Sequence, residues 1–121
     1  MLFRSELVIA NYGEWTWENS AHNPIQMRVQ LTNNSSKLTV TGYTLYYLGS
    51  NPYNLSDMSK VKTVHYNQTF VPGGTKYSGY FTVSLDNSRE CHVAVGEVTY
   101  SNGKTVRLDP QDASWFYWTI E

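Results

Sequence analysis

The strongest constraint on the fold is an alternation of apolar and polar residues with a period of two. Between Ile25 and Leu31 the apolar side chains occupy every second position, and Gln26, Arg28 and Gln30 fill the positions between them. Because successive side chains of a β-strand point to opposite faces, this pattern predicts a strand with one buried face and one solvated face. Apolar residues do not recur at helical spacing over a comparable length, so no long helix is predicted.

The same alternation recurs along the chain and is interrupted by clusters of turn-forming residues. Within two of these stretches a glycine, Gly42 or Gly96, disturbs the alternation, which is typical of a β-bulge. Residues 52–60 could form one short helical turn within a long loop. Further strands are predicted at residues 7–9, 38–48, 61–66, 77–85, 91–100 and 114–120.

The pair Asn102-Gly103 predicts a hairpin turn, and the flanking residues indicate its length. A two-residue loop would set Val98 opposite Arg107, whereas a three-residue loop sets Val98 opposite Val106. The second register keeps the apolar residues on one face, and Gly103 readily adopts the left-handed conformation that it requires. We therefore predict a type I turn followed by a bulge.

The length of 121 residues suits a single domain that spans residues 1–121. About seven to nine short strands, with turns every 8–12 residues or so, are typical of a sandwich. We therefore predict an all-β fold, an antiparallel two-sheet sandwich of immunoglobulin-like type. The single cysteine, Cys91, alternates with Val93 and Val95 and is predicted to pack in the core.

Composition and charge argue against several functions. The net charge is −1, so there is no strongly basic character of the kind that binds nucleic acid. No apolar run approaches the roughly 20 residues of a transmembrane helix. The first residues lack the features of a signal peptide, so the chain is expected to be either cytosolic or part of a longer secreted protein. The low charged fraction, 16%, with Tyr, Thr, Ser and Asn in its place, favours an extracellular or cell-surface location.

Two tryptophans near the start of the chain suggest a carbohydrate-binding platform. Trp15 and Trp17 are two residues apart, so in a strand their rings project from one face, roughly 6.5–7 Å apart. With Glu14 and Glu18 beside them, the rings could stack on sugars while the carboxylates accept hydrogen bonds from hydroxyl groups. The alternative is structural: one ring fills the core and the other covers a sheet edge, because tryptophan is usually well buried.

Four consecutive aromatic residues near the end of the chain could likewise either bind a ligand or pack against the protein. Trp115 and Tyr117 share one face of the predicted last strand, and Phe116 and Trp118 share the other. We expect one pair to pack inward and the other to cover the outer face in part. Because an exposed pair would mark a surface for a partner, Trp115 and Trp118 are candidate ligand-binding residues.

No residue pattern indicates a catalytic or metal site, and nothing suggests a cofactor. The histidines are scattered, and a strand would point the adjacent Cys91 and His92 to opposite faces. Glu14 and Glu18 could form the acid and nucleophile pair of a glycosidase, but a chain of this length rarely builds the necessary cleft.

Three segments carry a resemblance to a known class of domain: residues 25–37, the turn Phe70-Val71-Pro72-Gly73-Gly74, and the hairpin at residues 98–105. Together they resemble the immunoglobulin-like accessory domains of bacterial surface proteins, such as FxLYD-type domains, over about residues 25–108. The resemblance implies a non-catalytic module and carries no catalytic residues.

We therefore expect a non-catalytic binding or spacer module of a bacterial surface or secreted protein, with a polysaccharide or another protein as its partner. A carbohydrate-binding module that uses exposed tryptophans is the alternative, and a small enzyme is a remote one. Residues 14–18 and 115–118 lie outside the resemblance, so ligand contacts are expected there.

Overall fold

The computed structural model describes residues 6–17, 19–50 and 60–120, and this part of the chain is all-β. It contains no α-helix, and a short 3₁₀ helix covers Pro110–Asp112. The strands are β1 (Leu7–Trp17), β2 (Ile25–Asn33), β3 (Val40–Leu48), β4 (Lys62–Tyr66), β5 (Thr75–Tyr77), β6 (Phe81–Val83), β7 (Glu90–Tyr100), β8 (Thr105–Arg107) and β9 (Phe116–Thr119).

The strands form two antiparallel sheets, which confirms the predicted two-sheet sandwich. In sheet A, β2 is central, with β1 along one side and β5 and β6 in succession along the other. Sheet B has the order β4-β3-β7, and β8 and β9 share the far side of β7. The chain passes between the sheets at the β2–β3, β4–β5 and β6–β7 connections, so each sheet joins strands that are distant in sequence.

The core lies between the two sheets and follows the alternation of the sequence. Ile25, Met27, Val29 and Leu31 on β2 are all fully buried, and the residues between them are partly exposed. Each such side chain stabilises the fold by about 1.5–3 kcal/mol relative to full exposure. Cys91 is buried in the same core, as predicted, and its burial raises the pKa of the thiol to about 12.

The predicted hairpin and bulges are confirmed. Val98 pairs with Val106, and Gly103 has a φ of +85°, so the loop has three residues and a left-handed glycine. The pairing of β3 with β7 changes register beside Gly42 and again beside Gly96. An extra residue at each of these places lets both strands keep their apolar side chains on the core face.

The predicted strand at residues 77–85 is confirmed in part: β6 covers Phe81–Val83, but a break separates it from Tyr77, which ends β5. At the break, the hydroxyl of Ser78 accepts a hydrogen bond from the backbone amide of Val29 at 3.1 Å. The ring of Tyr66 then packs against Gly79, where any side chain would collide with it, and the Tyr66 hydroxyl donates to the Gly79 carbonyl at 2.9 Å.

The helical turn predicted at residues 52–60 lies outside the described residues, apart from Lys60. Within the described ranges, no helix has the length and apolar character that crossing a membrane requires.

Candidate binding face on sheet A

Trp15 and Trp17 lie on the inner side of β1, on the same face as each other. The register sets Trp15 opposite Met27 and Trp17 opposite Ile25, and both partners are fully buried. Trp15 is half-buried and packs against the core, whereas Trp17, at the end of the strand, is 40% exposed. The Trp17 ring stacks on the imidazole of His22, with 3.9 Å between the ring centroids and 14° between the planes.

Glu14 lies on the opposite face of β1 from these two rings. It is paired with Arg28 on the outer side of sheet A, so the sheet itself separates its carboxylate from the Trp15 ring. The arrangement of two rings beside this carboxylate is therefore not formed. Glu18 lies outside the described residues.

The aromatic residues at 115–118 are mostly packed against the protein. Phe116 and Trp118 contact the core, as expected for one alternating pair. Trp115 lies just before β9 and is half-buried: its indole Nε1 donates to the Pro110 carbonyl at 2.9 Å. Tyr117 is the exposed residue of the four, at 59%. Of the predicted pair Trp115 and Tyr117, it is Tyr117 that is exposed, and Trp118 of the other pair packs against the core.

The outer face of sheet A brings together side chains that are distant in sequence. The registers set Glu14 opposite Arg28 and Gln30 opposite Tyr77. The rings of Tyr12 and Tyr77 meet edge to face, with their centroids 6.0 Å apart. We name this cluster the tyrosine face; it consists of Tyr12, Glu14, Arg28, Tyr77 and Tyr80.

Arg28 lies at the centre of the tyrosine face. Its guanidinium forms an ion pair with Glu14, in which Nε donates to Glu14 Oε2 at 2.9 Å. The guanidinium carbon lies 4.1 Å from the ring centroid of Tyr77 and 5.1 Å from that of Tyr80, which is the range of cation–π contacts. The hydrogen bond with Glu14 raises the pKa of Arg28, and loss of solvent raises the pKa of Tyr77. The arginine therefore stays cationic and Tyr77 stays neutral at about pH 7.

Two irregularities in the strands position the outer tyrosines. The register of β1 against β2 shifts within residues 9–13, where Asn11 has a φ of +54°, and Tyr12 belongs to this bulge. Tyr80 belongs to the break between β5 and β6, and its ring reaches Arg28 from there. Alternation along a single strand does not say which strands are neighbours, so the sequence alone does not group these residues.

The tyrosine face can offer both aromatic and polar contacts to a ligand. The Tyr12 and Tyr80 side chains are 48% and 47% exposed, and Tyr77 between them is half-buried. Arg28 and Glu14 remain partly exposed while paired, so they present a donor and an acceptor side by side. The charges of the pair cancel, and the face is therefore polar without a net charge.

A shallow depression adjoins the tyrosine face at Glu14, and the described residues form no metal cluster. The depression has a volume of about 280 Å³, is open to solvent and is lined by Gly13, Glu14, Trp15 and Thr16 on β1. Among residues 6–17, 19–50 and 60–120, no three His, Cys, Asp or Glu side chains lie close enough together to hold a metal ion.

No protein-family model, curated protein or solved structure matches this chain.

Proposed function

We propose that this protein is a non-catalytic binding module and that the tyrosine face contacts its ligand. The observation that carries the proposal is the position of two half-exposed rings, Tyr12 and Tyr80, around the paired charges of Arg28 and Glu14. Tyrosine and arginine are the side chains that most often dominate binding energy at protein surfaces, together with tryptophan. Side chains of this kind at the exposed side of a sheet give a ligand a large contact area.

The side chains of the tyrosine face are held in place before any ligand arrives. Arg28 is fixed by Glu14 and by the rings of Tyr77 and Tyr80, and Tyr12 rests against Tyr77. A surface that is already ordered loses little side-chain entropy when it binds, which favours affinity. The arrangement therefore suits a module that recognises a partner without rearrangement.

We further propose that the module belongs to a bacterial surface or secreted protein. The low fraction of charged residues supports this location, as does the resemblance of residues 25–108 to accessory domains of such proteins. A spacer role without a ligand is compatible with the same fold, and the binding experiment below separates the two roles.

A second candidate is carbohydrate binding through tryptophan, and the exposure of Trp17 supports it. Trp15, Trp115 and Trp118 are half-buried, so this site would consist mainly of Trp17 and the stacked ring of His22. A single exposed stack offers less contact than the tyrosine face, and for that reason we rank it second.

Solid-phase binding tests the proposed function. The protein would be applied to bacterial sacculi, to a set of insoluble polysaccharides, and to wells coated with collagen, fibrinogen or fibronectin. The expected result is retention on at least one of these matrices, lost in the double variant Tyr12→Ala, Tyr80→Ala. The matched control is Tyr117→Ala, which removes an exposed tyrosine from sheet B and should bind as the unmodified protein does.

Each other outcome has a defined meaning. Loss of retention in Trp17→Ala but not in the tyrosine double variant would select the tryptophan site. Absence of retention on every matrix would favour the spacer role. If the double variant and Trp17→Ala are both retained as well as the unmodified protein, neither the tyrosine face nor the tryptophan site is the ligand-binding surface.

A further inference from the structure

We infer that the ligand of the tyrosine face is an uncharged polysaccharide, which lies flat across the strands of sheet A. This inference rests on the proposed function, since it names the class of ligand for the same face. Three properties of the face carry it: its charge balance, its flat and open shape, and its hydrogen-bonding groups.

The first property is charge. Arg28 and Glu14 are the charged residues of the tyrosine face, and they neutralise each other at its centre. The neighbouring positions on the outer side of the same strands carry neutral polar residues: Thr16, Gln26, Gln30, Thr32, Thr75 and Thr82. Among the described residues of this face, a charged ligand would find no unpaired opposite charge, so it would lose hydration without compensation. The face therefore favours an uncharged ligand.

The second property is shape. Tyr12 lies on β1, and Tyr80 lies on the other side of β2, beside Arg28. Neighbouring strands are about 4.8 Å apart, so the backbone segments that carry the two rings are separated by two strand spacings. The depression at Gly13, Glu14, Trp15 and Thr16 is open to solvent, so a chain molecule could extend across this part of the surface and contact both rings.

The third property is the arrangement of donors and acceptors. The guanidinium of Arg28 and the carboxylate of Glu14 lie side by side, and a hydroxyl group can accept from the first and donate to the second. Sugars carry such hydroxyl groups on adjacent carbons. The C–H side of a sugar ring has a slight positive charge, which is complementary to the negative face of an aromatic ring. The Arg28–Glu14 pair thus matches the hydroxyl groups of a sugar chain, and the tyrosine rings match its C–H faces.

A protein partner fits this arrangement less well. The centre of a protein–protein interface is usually its most apolar part, where Glu, Asp and Lys are depleted although Tyr and Arg are enriched. In the tyrosine face the centre is the Arg28–Glu14 pair, and the aromatic rings lie around it. Binding a protein there would bury an ion pair under apolar surface, which is costly unless new hydrogen bonds replace those to water.

Affinity electrophoresis with matched polysaccharides tests the inference. Each gel would contain an uncharged soluble polysaccharide, for example a xyloglucan, a glucomannan or hydroxyethyl cellulose, or the carboxymethylated derivative of the same polymer. We expect at least one uncharged polymer to retard the protein, with a dissociation constant roughly tenfold or more below that for its carboxymethylated derivative, a difference of about 1.4 kcal/mol. Tyr12→Ala, Tyr80→Ala should abolish the retardation, and Tyr117→Ala should leave it unchanged.

A charge variant makes the test specific for the ion pair. Glu14→Gln removes the carboxylate and leaves Arg28 as an unpaired cation at the centre of the face. We expect this variant to bind the carboxymethylated derivative more tightly than the unmodified protein does, and the uncharged polymer less tightly. No change in this preference would show that the ion pair does not select the ligand.

The inference and the proposed function fail differently. The protein could bind through the tyrosine face only to protein-coated wells, or could prefer carboxymethylated polymers to uncharged ones. Either result would show that the inference about the ligand is wrong, and the proposed function would stand. If no matrix and no polymer binds through the tyrosine face, both are wrong.

Discussion

The backbone amide of Val29 donates its hydrogen bond to the side-chain hydroxyl of Ser78, at 3.1 Å, in place of a backbone carbonyl of the neighbouring strand. The amide of Ser78 still donates to the Val29 carbonyl at 2.8 Å, and the Ser78 hydroxyl donates to the Gly79 carbonyl at 3.0 Å. A regular antiparallel pair would exchange two backbone hydrogen bonds at this point. Ser78 therefore ends β5 and still provides an acceptor for the buried amide of Val29. Tyr80 lies in the break that results, and its ring reaches Arg28 from there.

Replacement of this serine should destabilise the protein. Ser78→Ala leaves the Val29 amide buried without its acceptor, so we expect the free energy of unfolding to fall by about 1–3 kcal/mol. Urea denaturation followed by fluorescence measures the change. Ser84→Ala, at an exposed position of the same segment, is the matched control and should stay within about 0.5 kcal/mol. Equal stabilities of the two variants would mean that water or a relaxed backbone replaces the hydroxyl.

The bulge at Gly96 leaves space for the ring of Tyr46. A methyl group on Gly96 would lie within 2.8 Å of three ring atoms of Tyr46, which is buried. The ring cannot easily move away, because its hydroxyl donates to the Leu108 carbonyl at 2.7 Å, and the Leu108 amide donates to the Gly96 carbonyl at 2.8 Å. These contacts attach the segment after β8 to the outer side of sheet B.

Gly96→Ala should therefore lower the free energy of unfolding by about 1–3 kcal/mol, which is the usual effect of overpacking. A double-mutant cycle with Tyr46→Ala identifies the cause, since the added methyl group should cost little once the ring is absent. The measurement is chemical denaturation of the two single variants and the double variant. An equal cost in both backgrounds would attribute the effect to the backbone and not to the ring.

Cys91 should be unreactive in the native protein. Burial raises the pKa of its thiol to about 12, so almost no thiolate forms at about pH 8, and the side chain is also inaccessible. Labelling with a thiol reagent such as 5,5′-dithiobis(2-nitrobenzoate) should be negligible without denaturant and should reach one equivalent in urea. Ser84→Cys, which adds an exposed thiol, is the positive control. Rapid labelling of the unmodified native protein would show that the core opens readily near β7.

The fold was largely predictable because the necessary information is local. The alternation in β2 assigns its buried side chains directly, and the register at Val98 follows from keeping apolar residues together. The break at Ser78 was not predictable in this way. It depends on a hydroxyl that replaces a carbonyl across two strands far apart in sequence, and a serine in an alternating stretch gives no sign of that role.

The tyrosine face was less predictable than the fold for a related reason. Tryptophans are natural candidates for a binding site because they are rare and large, but Trp15 and Trp118 are partly buried and pack against the core. Tyr12 and Tyr80 are far apart in sequence, and only the order of the strands in sheet A brings them to one face. There Tyr80 contacts Arg28, and Tyr12 contacts Tyr77. Sheet order results from long-range packing, which one sequence does not specify locally.

The imidazole of His92 should make stability depend on pH. The ring is buried beneath Tyr117, neither ring nitrogen forms a hydrogen bond, and Glu90 Oε1 lies 3.4 Å from Nε2. Desolvation lowers the pKa of His92 below its usual 6.5, although Glu90 and Asp86 act in the opposite direction. Near pH 6.5 the imidazole of His92 therefore binds a proton in the unfolded chain but stays neutral in the native state. Because the unfolded state binds more protons, the free energy of unfolding falls as the pH decreases through that value.

Urea denaturation between about pH 7.5 and about pH 5 measures this dependence. We expect the midpoint of the unmodified protein to fall towards the acid end, and His92→Gln to show a smaller fall because it removes the titrating group. His65→Gln, which removes an exposed imidazole, should keep the slope of the unmodified protein. If stability instead rose on acidification, and His92→Gln abolished the rise, the pair with Glu90 would outweigh desolvation and the buried imidazole would be charged in the native state.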